Sequence, residues 1–303
     1  MSRAGAGVGR APAPLFRALA AAAIPGPLYH YTAAKGLEGI LRNRAAWATA
    51  ARYLNDAQEV RYAIDLARAR LARLARDVTG EPRKRLVAHL TESLQQIDSD
   101  RPLVCVFSLS QRADDLSQWR AYCPESGGYS LGFMPDELRV IAESQGCVLA
   151  PCIYDRGQQR ALIEEAVDPV VATLPGRAPK SPQAIARQGQ PFVRRLLRRV
   201  ERVAPLIKWP AYEAEEEWRI IWAARPTTID RLRYRPAESL FIPYVEIRLS
   251  TDDLPIPVEA VYVGPGPHQD IAAASLASFL RGVDVKVRAV RRSKIPLRTL
   301  ATS

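Results

Sequence analysis

Apolar positions recur along this chain at two spacings, and the change from one to the other separates strands from helices. "LYHYT", Leu28 to Thr32, reads as a short strand, and "AAKGLEGILRN" behind it as a helix with Leu37, Ile40 and Leu41 on one face. From Asp56 onward Val60, Ile64, Ala67, Leu71, Leu74 and Val78 follow one another at steps of three and four, the spacing of an amphipathic helix. A second helix from about Pro82 to Ile97 repeats the pattern through Leu86, Leu90, Leu94 and Ile97, so a helical hairpin is expected between strands. "RPLVCVFSLS" is a continuous apolar run, as in a strand buried on both faces. "GGYSLGF", "CVLAPCIYD", "EWRIIWAA", "LFIPYVEIRL", "VEAVYVGP" and "DVKVRAVRR" read as further strands; "ADDLSQWRAY", "PDELRVIAES" and "QDIAAASLASFLRG" read as helices. A Pro/Gly linker, "LPGRAPKSPQ", separates a helix from the basic helix "PFVRRLLRRVERV". The order predicts an α+β fold on a mixed, largely antiparallel sheet. Residues 1–26, rich in Ala, Gly and Pro, are expected to form a disordered or loosely helical leader outside the packed core. Residues 27–303 are expected to form one α+β domain with helical insertions at about 56–98 and 183–205.

Charge adds a class of partner. Of 303 residues 43 are Lys or Arg and 32 Asp or Glu, a formal net charge of +11 that favours phosphate-bearing partners such as nucleic acid or nucleotides. On the basic helix Arg194, Arg195, Arg198, Arg199 and Arg202 surround a stripe of Val193, Leu196, Val200 and Val203; such a face either grips phosphates or is simply solvated. No run of 18 apolar residues appears, so no membrane span is expected. The N-terminal "LFRALAAAAIPG" is interrupted by Arg17 and lacks a signal-peptide cleavage pattern. Four cysteines without CxxC spacing and three histidines argue against a metal site and for reduced thiols in a cytoplasmic protein.

Two stretches carry candidate chemistry. In "YLNDAQEV", Asn55 or Asp56 suits a helix cap with Glu59 in the first turn; a substrate-facing role is the alternative. In "YEAEEEWR" three glutamates run into an apolar strand, and an extended backbone would point Glu215 and Glu217 one way and Glu216 the other. Two carboxylates turned inward need a compensating partner or a function; otherwise they face solvent. His30 reads either as a packed core histidine or as a ligand of a nucleotide.

The ordered series "HYT", "YLNDAQE", "VFSLSQRADDLSQWRAY", "GGYSLGF", "KWPAYEAEEEWR", "VYVGPG" and "SKIPLR" resembles the bacterial family called domain of unknown function 2971, from about Leu28 to Arg298. "LYHYTAAKGLEGILRNRAAWAT" also resembles the start of the ADP-ribosyltransferase fold. That second resemblance implies a split sheet and NAD as a substrate. It implies His30, with Tyr31 and Thr32 beside it, at the adenosine ribose, and an aromatic residue such as Tyr129 stacked on nicotinamide. It further implies Glu217 or Glu215 as the catalytic carboxylate, with Trp119 and Tyr122 in the same pocket. The target would be a nucleic acid or a protein, in a toxin or phage-defence setting. The alternative is a non-catalytic nucleic-acid-binding or interaction module working through Arg194, Arg195, Arg198 and Arg199.

Overall fold

The computed structural model describes residues 14–54, 57–95, 104–177, 181–224, 227–251 and 254–296. Asn55 and Asp56, the expected helix start, lie outside them, as do residues 1–13, Ile97 and Arg298.

Among the described residues ten strands form one sheet: β1 (Leu28–Thr32), β2 (Ala45–Ala50), β3 (Val104–Ser110), β4 (Tyr129–Phe133), β5 (Val148–Pro151), β6 (Glu217–Ala223), β7 (Arg233–Ala237), β8 (Leu240–Arg248), β9 (Val258–Val263) and β10 (Ala289–Arg292). Their order is β10-β9-β4-β1-β3-β2-β8-β7, with β6 also paired to β3, and β5 to β6. Only β9 and β10 run parallel; every other pair is antiparallel, so the sheet is mixed and largely antiparallel in an α+β fold.

The sheet is buried on both faces because residues of both parities along its central strands are apolar. On β3, Cys105, Phe107 and Leu109 point to one side, into a core shared with Leu37, Ile40 and Leu41 of α2 (Ala34–Asn43), Leu138 and Ala142 of α6 (Pro135–Ser144), and Leu276 and Leu280 of α9 (Gln269–Gly282). Val104 and Val106 point the other way, towards four long helices: α3 (Ala57–Asp77), α4 (Glu81–Gln95), α7 (Arg156–Ala172) and α8 (Pro182–Val203). Leu71, Leu90, Leu162, Val167 and Leu196 are among the residues that fill this second core. The expected hairpin of α3 and α4 is present, and it packs with α7 and α8.

The basic helix begins earlier than its apolar stripe implies. Ser181 caps it by accepting from Ala184 N–H, and Pro182 sits in the first turn, where its missing N–H carries no penalty. Gly189 lets α8 approach α4 closely: a Cβ there would lie 2.5 Å from His89 Cδ2. Part of the expected leader is also packed. Leu15–Ala20 forms α1, Phe16 is buried against the second core, and Arg202 lies over its ring at 4.1 Å. An aromatic ring at this position is driven out of water, which the small residues around it conceal in the sequence.

Candidate functional site

The pairing of β3 creates the site. One edge of β3 is taken along its whole length by β6, from Val104↔Ala223 to Ser110↔Glu217. The other edge is shared: β2 pairs at Cys105 and Val106, and β1 only at Ser110. Between them, beside Phe107 to Leu109, β1 and β2 diverge and the sheet forks. A cleft of about 640 Å³ opens at the fork, within the range of about 300–1,000 Å³ usual for small-molecule sites.

His30 fills part of the fork. Its Nδ1 lies 3.0 Å from the Ser108 carbonyl, and its ring packs 4.4 Å from Phe107. Since a carbonyl only accepts, Nδ1 carries the proton and Nε2 keeps a lone pair in the neutral ring. Burial lowers the His30 pKa below its ordinary value, outweighing the Ser108 bond, which favours the charged form. The ring is therefore neutral at pH 7, and as a cleft-lining group it offers an acceptor.

The glutamates divide as the sequence suggests, by a different route. Pro210–Glu215 is a 3-10 turn, Glu216 adopts a left-handed backbone with φ 44°, and β6 begins at Glu217. Glu216 turns out to Arg112 at 2.6 Å. Glu215 and Glu217 turn into the cleft and share Lys208, whose Nζ donates to Glu215 Oε2 at 2.6 Å and to Glu217 Oε2. Arg219 grips Glu217 from the strand, through Nε at 2.6 Å and Nη2 at 3.0 Å. Burial works to raise the Glu217 pKa, but Arg219 and Lys208 outweigh it and hold the carboxyl at about 2. Both Glu217 oxygens are thus occupied. Glu215, whose side chain is 17% exposed, gives one oxygen to Lys208.

Tyrosines complete the walls: Tyr53, Tyr122 and Tyr212 line the cleft. Each is 42% exposed, and among the described residues no aromatic ring packs on any of them. Tyr122 comes from α5 (Leu116–Tyr122), and its hydroxyl is pushed up to about 12 by burial and then by Glu215. Asp115 caps α5, accepting from Ser117 N–H at 2.8 Å and Gln118 N–H at 3.3 Å. Asp114 fixes it from the side, accepting from Trp119 Nε1 at 2.8 Å, Ser293 Oγ at 2.6 Å and Lys294 N–H at 3.0 Å.

Of the residues singled out in the sequence, the cleft gathers His30, Tyr31, Tyr122, Glu215 and Glu217. It does not gather three others. Trp119 is buried against Tyr31 at 4.7 Å, where it seats α5. Thr32 and Tyr129 pair with each other on β1 and β4, beyond the fork, and neither lines the cleft. Tyr31 reaches the cleft, but its hydroxyl is engaged: it donates to Arg112 O at 2.6 Å and accepts from Asp115 N–H at 3.1 Å. The α8 arginines lie elsewhere. Arg199, half-buried, donates to the α7 carbonyls of Glu165 and Ala166 at 2.7 and 2.9 Å, and Arg195 to Thr173 Oγ1 at 3.2 Å; Arg194, Arg195 and Arg198 are exposed.

Sequence reasoning passed over Lys208, Arg219, Arg235, Tyr53 and Tyr212, all of which line the cleft. Lys208 and Arg219 had a usable signal: a cation inside the apolar run "APLIKWP" or "EWRIIWAA" must find a carboxylate if the run is buried. Among the described residues no group of three His, Cys, Asp or Glu side chains could hold a metal ion, and no helix is long and apolar enough to cross a membrane.

No curated protein and no solved structure matches the chain. Residues 118–220, from α5 to β6 and including Tyr122, Lys208, Glu215 and Glu217, match the model of the family described as "Protein of unknown function (DUF2971)", the family that the ordered motifs of the sequence resemble.

Proposed function

We propose that the cleft binds a nucleotide of the NAD class and that the protein transfers ADP-ribose to a nucleic acid or protein acceptor. The observation that carries this reading is the fork of β1 and β2 on β3, which sets a neutral histidine, exposed tyrosine rings and a carboxylate around one cleft. His30 Nε2 accepts from a ribose hydroxyl. A cleft tyrosine, Tyr122 in place of Tyr129, supplies a flat face for nicotinamide. In the reaction the bond from C1′ to the nicotinamide nitrogen breaks, its electron pair neutralises the pyridinium ring, and C1′ gains positive charge until the acceptor's nucleophile bonds to it. A carboxylate facing C1′ stabilises that charge more in the transition state than in the ground state.

Glu215 takes that role. Glu217 is neutralised by two cations, and it acts by fixing Lys208, which in turn orients Glu215. The test is NAD binding by calorimetry beside nicotinamide release. Glu215→Gln is expected to keep NAD affinity within a few fold and lower release by about 100- to 1000-fold. His30→Ala is expected to weaken binding itself. Absence of NAD binding and of nicotinamide release from folded wild type, with and without nucleic acid, would overturn the reading.

A further inference from the structure

Each cation on the cleft floor faces a carboxylate: Lys208 has Glu215 and Glu217, and Arg219 has Glu217. Arg235, which reaches the same cleft from β7, has no carboxylate partner among the described residues. Its Nη2 donates to Thr49 Oγ1 at 3.2 Å, and its guanidinium lies 5.5 Å from the centre of the Trp47 ring. That ring is backed by Tyr244 at 4.6 Å. The guanidinium is thus held by a hydroxyl and an aromatic ring, while its Nε–H is buried without an acceptor. With Nε–H shut away and Nη2 on Thr49, the guanidinium lines the cleft without a counter-ion, and an oxyanion in the cleft supplies one. The planar fork of arginine donors matches two oxygens of one phosphate.

Strand β3 measures the position of this group. Thr49 lies opposite Val106, the Ser108 carbonyl meets His30, and Glu217 lies opposite Ser110. Cross-strand partners share a face, so Thr49 and Glu217 are on the same side of the sheet, four β3 residues or ~13 Å apart at about 3.3 Å per residue. Along the strand the His30 contact at Ser108 falls midway between them, with the ring in the fork against Phe107.

We infer that Arg235, with Thr49 and Trp47, forms a phosphate subsite at the end of the cleft opposite Glu215. The inference rests on the nucleotide reading and adds to it: the favoured ligand carries a phosphate beyond the ribose that meets His30. Either a 5′-diphosphate or a ribose 2′-phosphate has that chemistry.

The test is calorimetry with adenosine, ADP and adenosine 2′-monophosphate on wild type, Arg235→Gln and Arg235→Lys. One of the two phosphates is expected to bind at least about ten times more tightly than adenosine, and which one identifies the source of the phosphate. Arg235→Gln is expected to abolish that advantage without changing adenosine affinity, and Arg235→Lys to restore part of it, which separates charge from folding. Equal binding of all three ligands, or an advantage that survives Arg235→Gln, overturns the subsite. NAD binding and nicotinamide release on the same variants keep the two proposals apart. Where ADP is the favoured ligand, release and NAD affinity unchanged in Arg235→Gln remove only the subsite; where adenosine 2′-monophosphate is favoured, NAD is expected to be unaffected and an advantage that survives Arg235→Gln removes the subsite. Arg235-dependent phosphate binding without any nicotinamide release removes only the transferase reading. No binding of any nucleotide removes both.

Discussion

Glu217 sits 5% exposed between Lys208 and Arg219, and its value to the fold is the charge it keeps there. Glu217→Gln would leave Lys208, itself 3% exposed, with one carboxylate fewer in a buried place. Removing one member of a buried ion pair typically destabilises by about 3–5 kcal/mol, so this variant is expected to lose stability before any effect on turnover can be read. Glu215→Gln, nearer to solvent, is expected to be milder. The pH dependence follows from the same group. The folded carboxyl titrates at about 2 and the unfolded one near 4.5, so below 4.5 the unfolded state binds more protons. The stabilisation is complete above that value and is lost as pH falls from 4.5 towards 2. His30 adds in the same direction at higher pH: its folded pKa lies below 6.5, so the unfolded chain gains a proton first as pH falls through 6.5. Denaturant midpoints measured from pH 8 to pH 2 are expected to fall on the acid side, and Glu217→Gln is expected to flatten the limb below pH 4.5. A limb of unchanged slope would show that Glu217 is not held as an ion pair.

Helix α5 depends on glycines as much as on its cap. A Cβ on Gly264 would come 2.8 Å from Trp119 Cζ3 and 3.0 Å from the Gly128 carbonyl, and a Cβ on Gly128 would meet Cys123 and lie 2.9 Å from the Thr32 carbonyl. The motifs "SQWRAY", "GGYSLGF" and "VYVGPG" and the residues Ser293 and Lys294 therefore meet at one place, where β4, β9 and the segment at Ser293 seat the helix that presents Tyr122. Gly264→Ala is expected to destabilise by about 1–3 kcal/mol, because the buried Trp119 ring cannot yield. A melting temperature and nucleotide affinity both equal to wild type would show that α5 is not seated this way. Long elements were legible in the sequence because their apolar period is long enough to read: α3, α4 and most strands stand where expected. Strand β2, "AAWATA", carries no strand signal in its sequence. Ala46, Ala48 and Ala50 alternate inward, but alanine is too small and too poor a strand former to show it. Strand β7, "RYRPA", is a charged edge with no apolar face. Without these two strands the fork and Arg235 are invisible. His30 and the inward pair of glutamates were legible because a polar group at the edge of an apolar strand stands out.

Across the whole molecule the net charge of +11 is distributed unevenly in its consequences. Part of it is structural: Arg139 donates to the carbonyls of Ala20 and Ala22, Arg70 to Asp168 at 2.5 and 2.8 Å, and Arg199 to two carbonyls of α7. These arginines join helices to one another, and they are not available to phosphates. On α8 Arg187, Arg194, Arg195 and Arg198 stay exposed; Arg195 bonds Thr173, while Arg194 and Arg198 make no hydrogen bond to the described residues. The two kinds of arginine separate by experiment. Arg199→Ala is expected to lose about 1.5–3 kcal/mol of stability, the usual contribution of hydrogen bonds from a charged donor. The double variant Arg194→Ala, Arg198→Ala is expected to melt with wild type. Each phosphate contact on duplex DNA contributes about 0.9 to the slope of log affinity against log salt, so two contacts on this helix would contribute about 1.8. We expect the double variant to keep the wild-type slope within about 0.5, as for a solvated helix face that adds only to the overall field. A slope lower by nearly 2 would place nucleic acid on α8 and make that helix, in addition to the cleft, a working surface of the protein.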